Sequence, residues 1–571
     1  MRRSRSQRAF LAALIVPAAV FVACSSSNRS NGGGSSGGSS SGGSGSGGAP
    51  LEDGGISSLC TVSSAGNAAT VISGTLLLPT GPVTGELFIG SNGNIACAAA
   101  SCSSTAGYSS ATQIACPNGV ISPSLINTHD HTEYATAAPD LSATTRYECR
   151  SEWRTGADDA STIPYQDTDS VPIMAAQELR FVLGGATSVL GSGGVVGLLR
   201  NLATDSKYTS LEGLTGAPVN FDTFPLGDTN GVIITSGCAY PSIAHATGSS
   251  TVFTGGGIYA PHIAEGINLG AENEVTCTTQ ASNDLVTSQT SVIHGVGLNA
   301  TDVNKIATAQ SRLIWAPRSN ISLYGDTAAV TVYDEEGVPI SLGTDWLPSG
   351  SMNMLRELTC ADYVNTKYFN QRFTDQRLWQ MVTSNAAVAA GFQTQIGTLA
   401  TGMVGDVTVF DGTTNTSYRA VIAASVEDVH LVLRGGTVLY GDSQLVAALS
   451  PSDASTPCAP LDVCGISRSV CIDVPSTTLA QIQSAASNVY PLFFCRGQTP
   501  TNEPTCVPYR DTYPNGISST DADGDGIVDG SDDCPMVFNP IREMDSGKQS
   551  DVDGDGYGDA CDAFPLDPTK H

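Results

Sequence analysis

The sequence predicts an α/β protein, and three observations lead to that fold class. Short apolar strand-like runs alternate with helical stretches through the middle of the chain, which is typical of parallel strands joined by helical crossovers. A β-rich stretch with glycine at its breaks precedes this region at 70–97, and a second β-rich stretch follows it at 406–440. The alternation fits either a barrel or a doubly wound sheet, because periodicity alone does not distinguish the two. The strand-like runs lie at 186–190, 219–224, 257–261, 291–294, 312–316 and 338–343.

The N-terminus has the form of an export signal. Four arginines precede an apolar run at 9–22, which is shorter than the about 20 residues that a membrane-spanning helix needs. The run ends at Cys24 in a sequence that resembles a bacterial lipobox, so residues 1–23 are predicted to be a lipoprotein signal and Cys24 the lipidated residue. The alternative is an ordinary cleaved signal with a chance cysteine. Residues 24–54 are rich in Ser and Gly and are predicted to be a flexible tether.

Composition limits the location and the partners of the protein. The lipid signal predicts an exported bacterial lipoprotein of the cell envelope, anchored to a membrane, and Ser25 in place of an aspartate favours the outer membrane. The formal net charge of -28 argues against a nucleic-acid partner, since phosphates require clustered Lys and Arg. The 16 cysteines suit an oxidising compartment. With Cys24 lipidated an odd number remains, so at least one thiol is expected to be free or paired elsewhere.

Histidines and acidic residues follow the strand-like runs. The apolar strand that ends in His-Asp-His at 129–131 points both imidazoles to one face, because side chains two apart share a strand face, and the aspartate between them points away. His262, His294 and Asp345 come at or just after the ends of later runs. Any one of these histidines alone is more often a core or surface residue. Together, imidazoles and a carboxylate suit a divalent ion such as Zn²⁺ or Fe²⁺.

The order and local sequences of these segments resemble the amidohydrolase superfamily, most closely its chlorohydrolase and guanine/cytosine deaminase-like branch. Eight blocks occur in the family's order over residues 70–442, which makes the resemblance specific. They lie at 74–96, 122–134, 184–189, 259–265, 293–295, 317–320, 342–345 and 396–402 with Asp406. The resemblance implies a (β/α)8 TIM-like barrel at 122–394 and a small β-sandwich formed by residues 55–121 and 395–445.

The same resemblance implies roles for individual residues. The implied metal ligands are His129, His131, His262 and Asp345. One Zn or Fe ion is favoured, because no lysine stands where binuclear relatives carry a carboxylated one. Glu265 is the implied proton shuttle and His294 orients water or substrate, while Asp345 could instead be both ligand and base. A bound metal lowers the pKa of water from 15.7 toward about 7, and a nearby carboxylate can move the proton to the leaving group.

These roles predict a hydrolase of carbon–nitrogen bonds other than peptide bonds, either a deaminase or a cyclic amide hydrolase. Hydrolytic dehalogenation or ester cleavage fits the same fold. The predicted pocket residues are Trp346, Tyr134 and Asn320. Trp346 either stacks on a planar ring or packs under a loop, so a small heterocyclic or aromatic substrate is expected. The alternative from another class is a catalytically silent surface scaffold that uses its C-terminal tail for adhesion.

The C-terminus divides into a Cys-rich segment at 446–515 and an acidic tail at 516–571. Two twelve-residue loops in the tail carry aspartates at the offsets of a calcium loop, with glycine for the sharp turn. The aspartates are Asp521, Asp523, Asp525, Asp529 and Asp532, then Asp551, Asp553, Asp555, Asp559 and Asp562. The segment resembles thrombospondin type 3 repeats, and the other interpretation is a merely acidic tail. Calcium and a Cys534–Cys561 disulfide are expected to order it, independently of the barrel's metal.

Overall fold

The computed structural model describes residues 59–139, 146–204, 211–248, 251–450 and 458–571. The predicted signal at 1–23, Cys24 and the tether at 24–54 lie outside the described residues. The strands are β1 Thr61–Ser64, β2 Asn67–Leu78, β3 Gly81–Ile89, β4 Ile95–Ala99, β5 Ala111–Pro123, β6 Leu125–His131, β7 Ala186–Ser192, β8 Arg200–Asn201, β9 Asn220–Asp222, β10 Tyr259–Ile263, β11 Ser291–His294, β12 Arg312–Trp315, β13 Ile340–Leu342, β14 Val407–Asp411, β15 Val429–Arg434, β16 Thr437–Asp442, β17 Cys458–Val463 and β18 Ile466–Cys471. The α-helices are α1 Arg150–Thr155, α2 Val171–Leu183, α3 Leu269–Thr278, α4 Ala300–Thr308, α5 Pro317–Tyr324, α6 Val330–Glu335, α7 Met354–Lys367, α8 Asp375–Met381, α9 Ser384–Ala389, α10 Ser417–Ile422, α11 Ser443–Leu449 and α12 Leu479–Val489.

Eight parallel strands follow one another through the middle of the chain. β6, β7 and β8 form a three-stranded sheet, and β9 to β13 form a five-stranded sheet in sequence order. Helices lie between several of the successive strands, for example α3 between β10 and β11 and α4 between β11 and β12. This mixed α/β architecture, a TIM-barrel-like arrangement, agrees with the predicted fold class.

Single bridges join the two parallel sheets at both of their seams. Ala203 pairs with Val219 at one seam, and Asp130 pairs with Asp345 at the other. At the second seam the Asp345 N–H donates to the His129 carbonyl at 2.9 Å. The eight strands are therefore not closed by continuous ladders, which corrects the prediction of a regular barrel. The second seam also brings the ends of β6 and β13 side by side.

Buried apolar side chains from five strands pack together between the parallel sheets. Ile126, Leu190, Ala260, Ile293 and Ile314 share one core and are almost fully buried. Inward-pointing branched residues fill the interior of such barrels and leave the carboxyl ends of the strands for polar groups.

Asparagine caps start three helices shortly after strand ends. Asn268 begins α3, Asn299 begins α4 and Asn353 begins α7, and each side chain accepts a hydrogen bond from a backbone N–H of the first turn. Two of these caps lie just beyond Glu265 and His294. Each cap fixes the position at which the loop after the strand ends. The caps therefore limit the conformations of the loops that follow β10 and β11.

The segments before and after the parallel strands form one ten-stranded sheet. Its order is β17-β18-β16-β15-β14-β5-β2-β3-β4, and β1 pairs with β5. β14 pairs antiparallel with β5, and the hydroxyl of Thr408 in β14 lies 3.0 Å from that of Ser124, which is 284 positions away and just beyond the end of β5. The prediction of a small sandwich from residues 55–121 and 395–445 is corrected in extent, because β17 and β18 continue the same sheet.

The Cys-rich segment packs against the barrel instead of extending away from it. The Arg180 guanidinium on α2 donates to the Tyr490 carbonyl at 2.6 Å, and α12 packs on α2. A disulfide joins Cys360 on α7 to Cys506. The segment at 446–515 is thus part of the same compact unit, which spans Ser58–His571.

The acidic tail also docks on the barrel. Its Val537 and Phe538 are buried, and the Phe538 N–H donates to the Tyr368 carbonyl at 2.8 Å. The buried Arg542 guanidinium donates to the Val296 carbonyl at 3.2 Å, in the loop after β11. The tail has few apolar residues of its own, and the barrel supplies packing partners for them.

Disulfides occur in the sheet, the barrel and both C-terminal segments. Within the described ranges they join Cys60–Cys116, Cys97–Cys102, Cys238–Cys277, Cys360–Cys506, Cys458–Cys471, Cys464–Cys495 and Cys534–Cys561. Cys149 is buried and free. The predicted Cys534–Cys561 pair and the unpaired thiol are both confirmed. None of the helices in these ranges combines the length and apolar character that a membrane crossing requires.

Candidate metal centre and pocket

The predicted metal ligands, together with His294, come from the carboxyl ends of four parallel strands. His129 and His131 end β6, His262 lies in β10, His294 ends β11, and Asp345 follows β13. All five are buried. Because these strands are parallel, their carboxyl ends meet at one end of the barrel, and residues far apart in sequence converge there.

Two overlapping groups of ligand atoms lie close enough to hold one ion. His129, His262 and His294 form the first group, and His129, His131 and Asp345 form the second, with atoms in each within 4.8 Å of one another. His129 Nε2 lies 3.2 Å from Asp345 Oδ1, and His131 Nε2 lies 3.9 Å from the same oxygen. His129 belongs to both groups and is the centre of the site.

Hydrogen bonds at one ring nitrogen leave the other nitrogen of two histidines free for a metal. His131 Nδ1 lies 2.8 Å from Ser192 Oγ, and His262 Nδ1 lies 3.0 Å from the Asp222 carbonyl oxygen. Among the described residues, His262 Nε2 and both ring nitrogens of His129 are buried without a hydrogen-bond partner. A hydrogen bond at the ring nitrogen that does not face the metal orients a metal-ligating imidazole. These histidines therefore fit a divalent ion.

Burial disfavours the charged form of three imidazoles of the site, those of His131, His262 and His294. It lowers the pKa of His131 and of His294 to about 3 and the pKa of His262 well below its ordinary value, and neighbouring histidines lower each further. Neutral imidazoles bind a metal without first losing a proton. Burial raises the pKa of Asp345, but the nearby His129, His294 and His131 outweigh it and leave that pKa below its usual range.

Left-handed backbone geometry occurs at the predicted catalytic positions. The φ angles are +71° at His294, +64° at Asp345 and +55° at Ala264, next to Glu265. Non-glycine residues in this region are strained, and such strain is found mostly at active sites and ligand clamps. The strand ends therefore turn sharply at the residues that face the site.

Glu265 is held by a chain of hydrogen bonds from the aromatic side of the pocket. Tyr324 Oη donates to Glu265 Oε1 at 2.8 Å, and Trp153 Nε1 donates to Tyr324 Oη at 2.9 Å. Glu265 Oε2 lies 3.6 Å from His294 Nε2. Burial, with the charge of Asp345, raises the pKa of Glu265 to about 8. A carboxyl group with a pKa in this range can both take and give a proton near neutral pH.

Two of the three predicted pocket residues line the pocket, and the third does not. Tyr134 and Trp346 line the pocket beside Asp345, with their rings 6.0 Å apart. Asn320 does not line it, which corrects that prediction: it lies on α5 behind His294, and its amide nitrogen is 3.1 Å from His294 Nδ1. Asp130 faces away from the cluster, as strand alternation predicts, and accepts a hydrogen bond from the Thr344 hydroxyl.

The connection from β6 to α2 forms one wall of the pocket, and apart from Tyr134 its residues were not assigned to the site from the sequence. The described residues that line the pocket are His131, Tyr134, Arg150, Trp153, Arg154, Tyr165, Thr223, Phe224, His262, Glu265, His294, Asp345 and Trp346. Arg150, Trp153 and Arg154 lie on or near the short helix α1 inside that connection. The aromatic and basic residues of this connection could have indicated a binding site. Their spacing, however, does not follow the strand pattern that located the histidines.

The ten predicted calcium aspartates form two loops with the same geometry. Asp521, Asp523 and Asp525 bring their carboxylates together, and Asp551, Asp553 and Asp555 do so in the second loop. The remaining residues of the set, Asp529, Asp532, Asp559 and Asp562, lie outside these two groups. Asp529 and Asp559 each accept a hydrogen bond from the backbone N–H seven residues before them.

Comparison with known proteins identifies one family along part of the chain. The model of the amidohydrolase family matches residues 259–439. The matched region runs from β10 through β15 into the start of β16 and therefore includes His262, Glu265, His294 and Asp345.

Curated relatives match over shorter stretches. A 5-methylthioadenosine/S-adenosylhomocysteine deaminase of Nitratidesulfovibrio vulgaris is 29% identical over 170 residues, which is 28% of this chain and 38% of the relative. An 8-oxoguanine deaminase of Pseudomonas aeruginosa is 28% identical over 124 residues, which is 21% of this chain and 27% of the relative. The chain thus spans well under half the length of these relatives.

Two solved structures illustrate the structural likeness. A zinc-complexed atrazine chlorohydrolase of Arthrobacter aurescens has a TM-score of 0.45 and 15% identity, covering 65% of this chain and 95% of that one. An adenosine deaminase of Xanthomonas campestris with bound zinc has a TM-score of 0.41 and 15% identity, covering 65% and 92%. These likenesses are too low to carry a functional argument, which depends on the site itself.

Proposed function

We propose that this protein is a metal-dependent hydrolase that cleaves a carbon–nitrogen bond other than a peptide bond in a small heterocyclic molecule. The observation that carries the proposal is the buried group of His129, His131, His262, His294 and Asp345 beside Glu265. A buried cluster of this kind, in a pocket with a carboxyl group of raised pKa, is what metal-assisted hydrolysis requires.

His129, His131, His262 and Asp345 would hold one divalent ion. Imidazole nitrogen with a single carboxylate suits zinc or iron better than magnesium or calcium, which prefer oxygen ligands. When bound, the ion supplies Lewis acidity and lowers the pKa of water in the site. Ser319 Oγ donates to Asp345 Oδ2 at 2.5 Å, so Asp345 keeps its Oδ1 directed at the histidines.

Glu265 and His294 divide the proton chemistry between them. Glu265 takes a proton from water at Oε2 and gives it to the leaving nitrogen, while Tyr324 holds the other oxygen. The Asn320 amide donates to His294 Nδ1, so the neutral imidazole carries its proton on Nε2. That N–H faces the pocket and orients the oxygen of water or substrate.

The relatives support the same reaction class. The matched proteins are named as deaminases of purine compounds, and the amidohydrolase match includes Glu265. A catalytically silent scaffold would have no use for a buried carboxyl group hydrogen-bonded to a tyrosine between two histidine strands. Deamination fits the aromatic pocket best, with cyclic amide hydrolysis as the related reaction.

The experiment is a screen of the purified, zinc-loaded protein against heterocyclic amines and cyclic amides, with ammonia or acid release as the readout. Glu265→Gln should keep its metal and lose about two to four orders of magnitude in rate, the usual contribution of a general acid–base group. Glu272→Gln is the matched control, because Glu272 lies outside the pocket on α3. Near-wild-type turnover in Glu265→Gln would remove this residue from the mechanism.

We also propose that the tail binds calcium through its two loops, in the manner of thrombospondin type 3 repeats. The supporting observation is that Asp523 Oδ2 and Asp562 Oδ2 are buried and lack a hydrogen-bond partner among the described residues. Burial and the charges of Asp525, Asp532 and Asp521 raise the pKa of Asp523 to about 8. Such crowded carboxylates are stabilised by a hard cation with oxygen ligands.

The N-terminal sequence supports a further proposal, that Cys24 carries lipid and anchors the enzyme to the cell envelope. The paired cysteines fit an oxidising compartment, because disulfides persist there and are rare in the cytosol. The absence of an aspartate after Cys24 favours the outer membrane.

A further inference from the structure

One wall of the pocket is made of four aromatic rings. Tyr134, Trp153, Tyr165 and Trp346 contact one another, with the Trp153 and Trp346 ring centroids 5.0 Å apart and Tyr165 at 5.2 Å from Trp346. Tyr134 also approaches His131, at 5.6 Å between centroids. The aromatic wall therefore extends to the metal centre, and a planar ring bound against it reaches the predicted ligands.

Two arginines line the same pocket, and Arg150 has its charge balanced within the protein. Its guanidinium lies 2.9 Å from Asp228 and 3.1 Å from Glu274, and it also donates to the His262 carbonyl. Arg150 is fully buried. Its role is structural, because two carboxylates already compensate the charge.

Arg154 lines the same pocket but makes no direct contact with a carboxylate of the described residues. Its Nη2 donates to the Thr229 carbonyl at 3.0 Å, and its guanidinium carbon lies 4.3 Å from the centre of the Phe224 ring. Its Nη1 is buried and has no hydrogen-bond partner, and no carboxylate of the described residues forms an ion pair with it. A buried guanidinium nitrogen left unpaired is costly unless a ligand supplies the missing acceptor.

We propose that the substrate carries a carboxylate on its planar ring and that Arg154 binds this group. The inference rests on the proposed function and adds the substrate class to it. The aromatic wall takes the ring, Arg154 takes the anion, and the same pocket contains Glu265 and Asp345. With a net charge of -28 the chain repels anions at long range, so an anionic substrate needs a short-range cation of this kind.

The test uses two probes of the same shape, pyridine-3-carboxylate and pyridine-3-carboxamide. Binding to the metal-loaded protein is followed by quenching of tryptophan fluorescence, since Trp153 and Trp346 line the pocket. Wild type should bind the carboxylate about tenfold to hundredfold more tightly, the difference expected for a hydrogen bond to a charged group. Arg154→Met should lose this preference, and Arg154→Lys, which keeps the charge but not the planar fork, should lose part of it.

Arg146→Met is the matched control. Arg146 lies in the same connection and donates to the Ser322 carbonyl, but it does not line the pocket, so its variant should keep the preference. Equal affinities of wild type for the two probes, or a preference that survives in Arg154→Met because the carboxylate binds the metal, would overturn the proposal. Since binding is measured without turnover, an inactive protein that still prefers the carboxylate rejects only the proposed function.

Discussion

Asp345 connects the metal centre to the seam of the barrel. Its Oδ1 faces His129 and His131, its Oδ2 accepts a hydrogen bond from Ser319, and its backbone pairs with Asp130. The left-handed φ of +64° lets the chain turn back toward the pocket directly after the strand. A single residue thus joins two strand ends and presents a carboxylate to two imidazoles.

At the residue scale we predict that the double variant His129→Ala/His131→Ala loses the bound metal. The change removes two nitrogen donors, including the one that belongs to both ligand groups. Metal content of the purified protein is the measurement. His245→Ala, at an exposed position, is the control and should keep the metal. Undiminished metal stoichiometry in the double variant would show that the ion is held elsewhere.

The place of a site residue could be predicted from the sequence where it follows from strand geometry. It could not be predicted where a long connection carries the residue to the site. The His-x-His pair was predictable because alternate side chains of a strand share a face. Asn320 was misplaced, because a segment that follows a strand can turn its side chain into the pocket or behind a ligand. Arg154 and Trp153 were missed, because only the folded connection between β6 and α2 brings them to the pocket.

At the scale of elements, the tail contacts the loops that follow β10 and β11, close in sequence to Glu265 and His294. Besides its contact with the Val296 carbonyl after β11, Arg542 forms a buried ion pair with Asp545 at 2.9 Å. The Met544 N–H lies 3.4 Å from the Ile267 carbonyl, in the loop after β10. The sequence predicted the calcium loops from their spacing, but this docking depends on contacts that the spacing does not encode.

We predict that calcium protects the tail from trypsin at Lys548, an exposed residue between the two loops. A chelator should make the tail cleavable at Lys548, because crowded aspartates repel one another when no cation is bound and the tail loses its fixed structure. Fragments are separated after reduction, since Cys534–Cys561 otherwise joins them.

The variant Asp523→Asn/Asp553→Asn should be cleaved even in about 1 mM calcium, a concentration within the range that extracellular calcium-binding modules need. His129→Ala/His131→Ala should keep the protection, because the two metal sites are predicted to be independent. Equal cleavage with and without chelator would leave only an acidic extension.

At the scale of the whole molecule, the described chain is one unit fastened across long sequence distances. The disulfide Cys360–Cys506 spans 146 positions and joins a barrel helix to the Cys-rich segment. The alternation of strand-like and helical runs predicted the α/β class, and the family resemblance added the barrel and the sandwich. It could not predict that the Cys-rich segment completes the sheet, because the pairing of β18 with β16 lies beyond the family's blocks.

We predict that Cys24→Ala releases the protein from the membrane fraction, because the lipid is its proposed anchor. Ser25→Asp is the matched variant: it should stay membrane-bound but move from the outer to the inner membrane, as the aspartate acts as a retention signal. Fractionation followed by immunodetection is the measurement. Continued membrane association of Cys24→Ala would count against lipidation.

The pairing of β14 with β5 has a consequence for how the chain is made. β5 is synthesised early, but the edge that receives β14 stays unpaired until residues 407–411 have emerged. Pairings of such high contact order form slowly. A chain that stops short of β14 therefore carries an open strand edge, the surface along which identical chains join and aggregate.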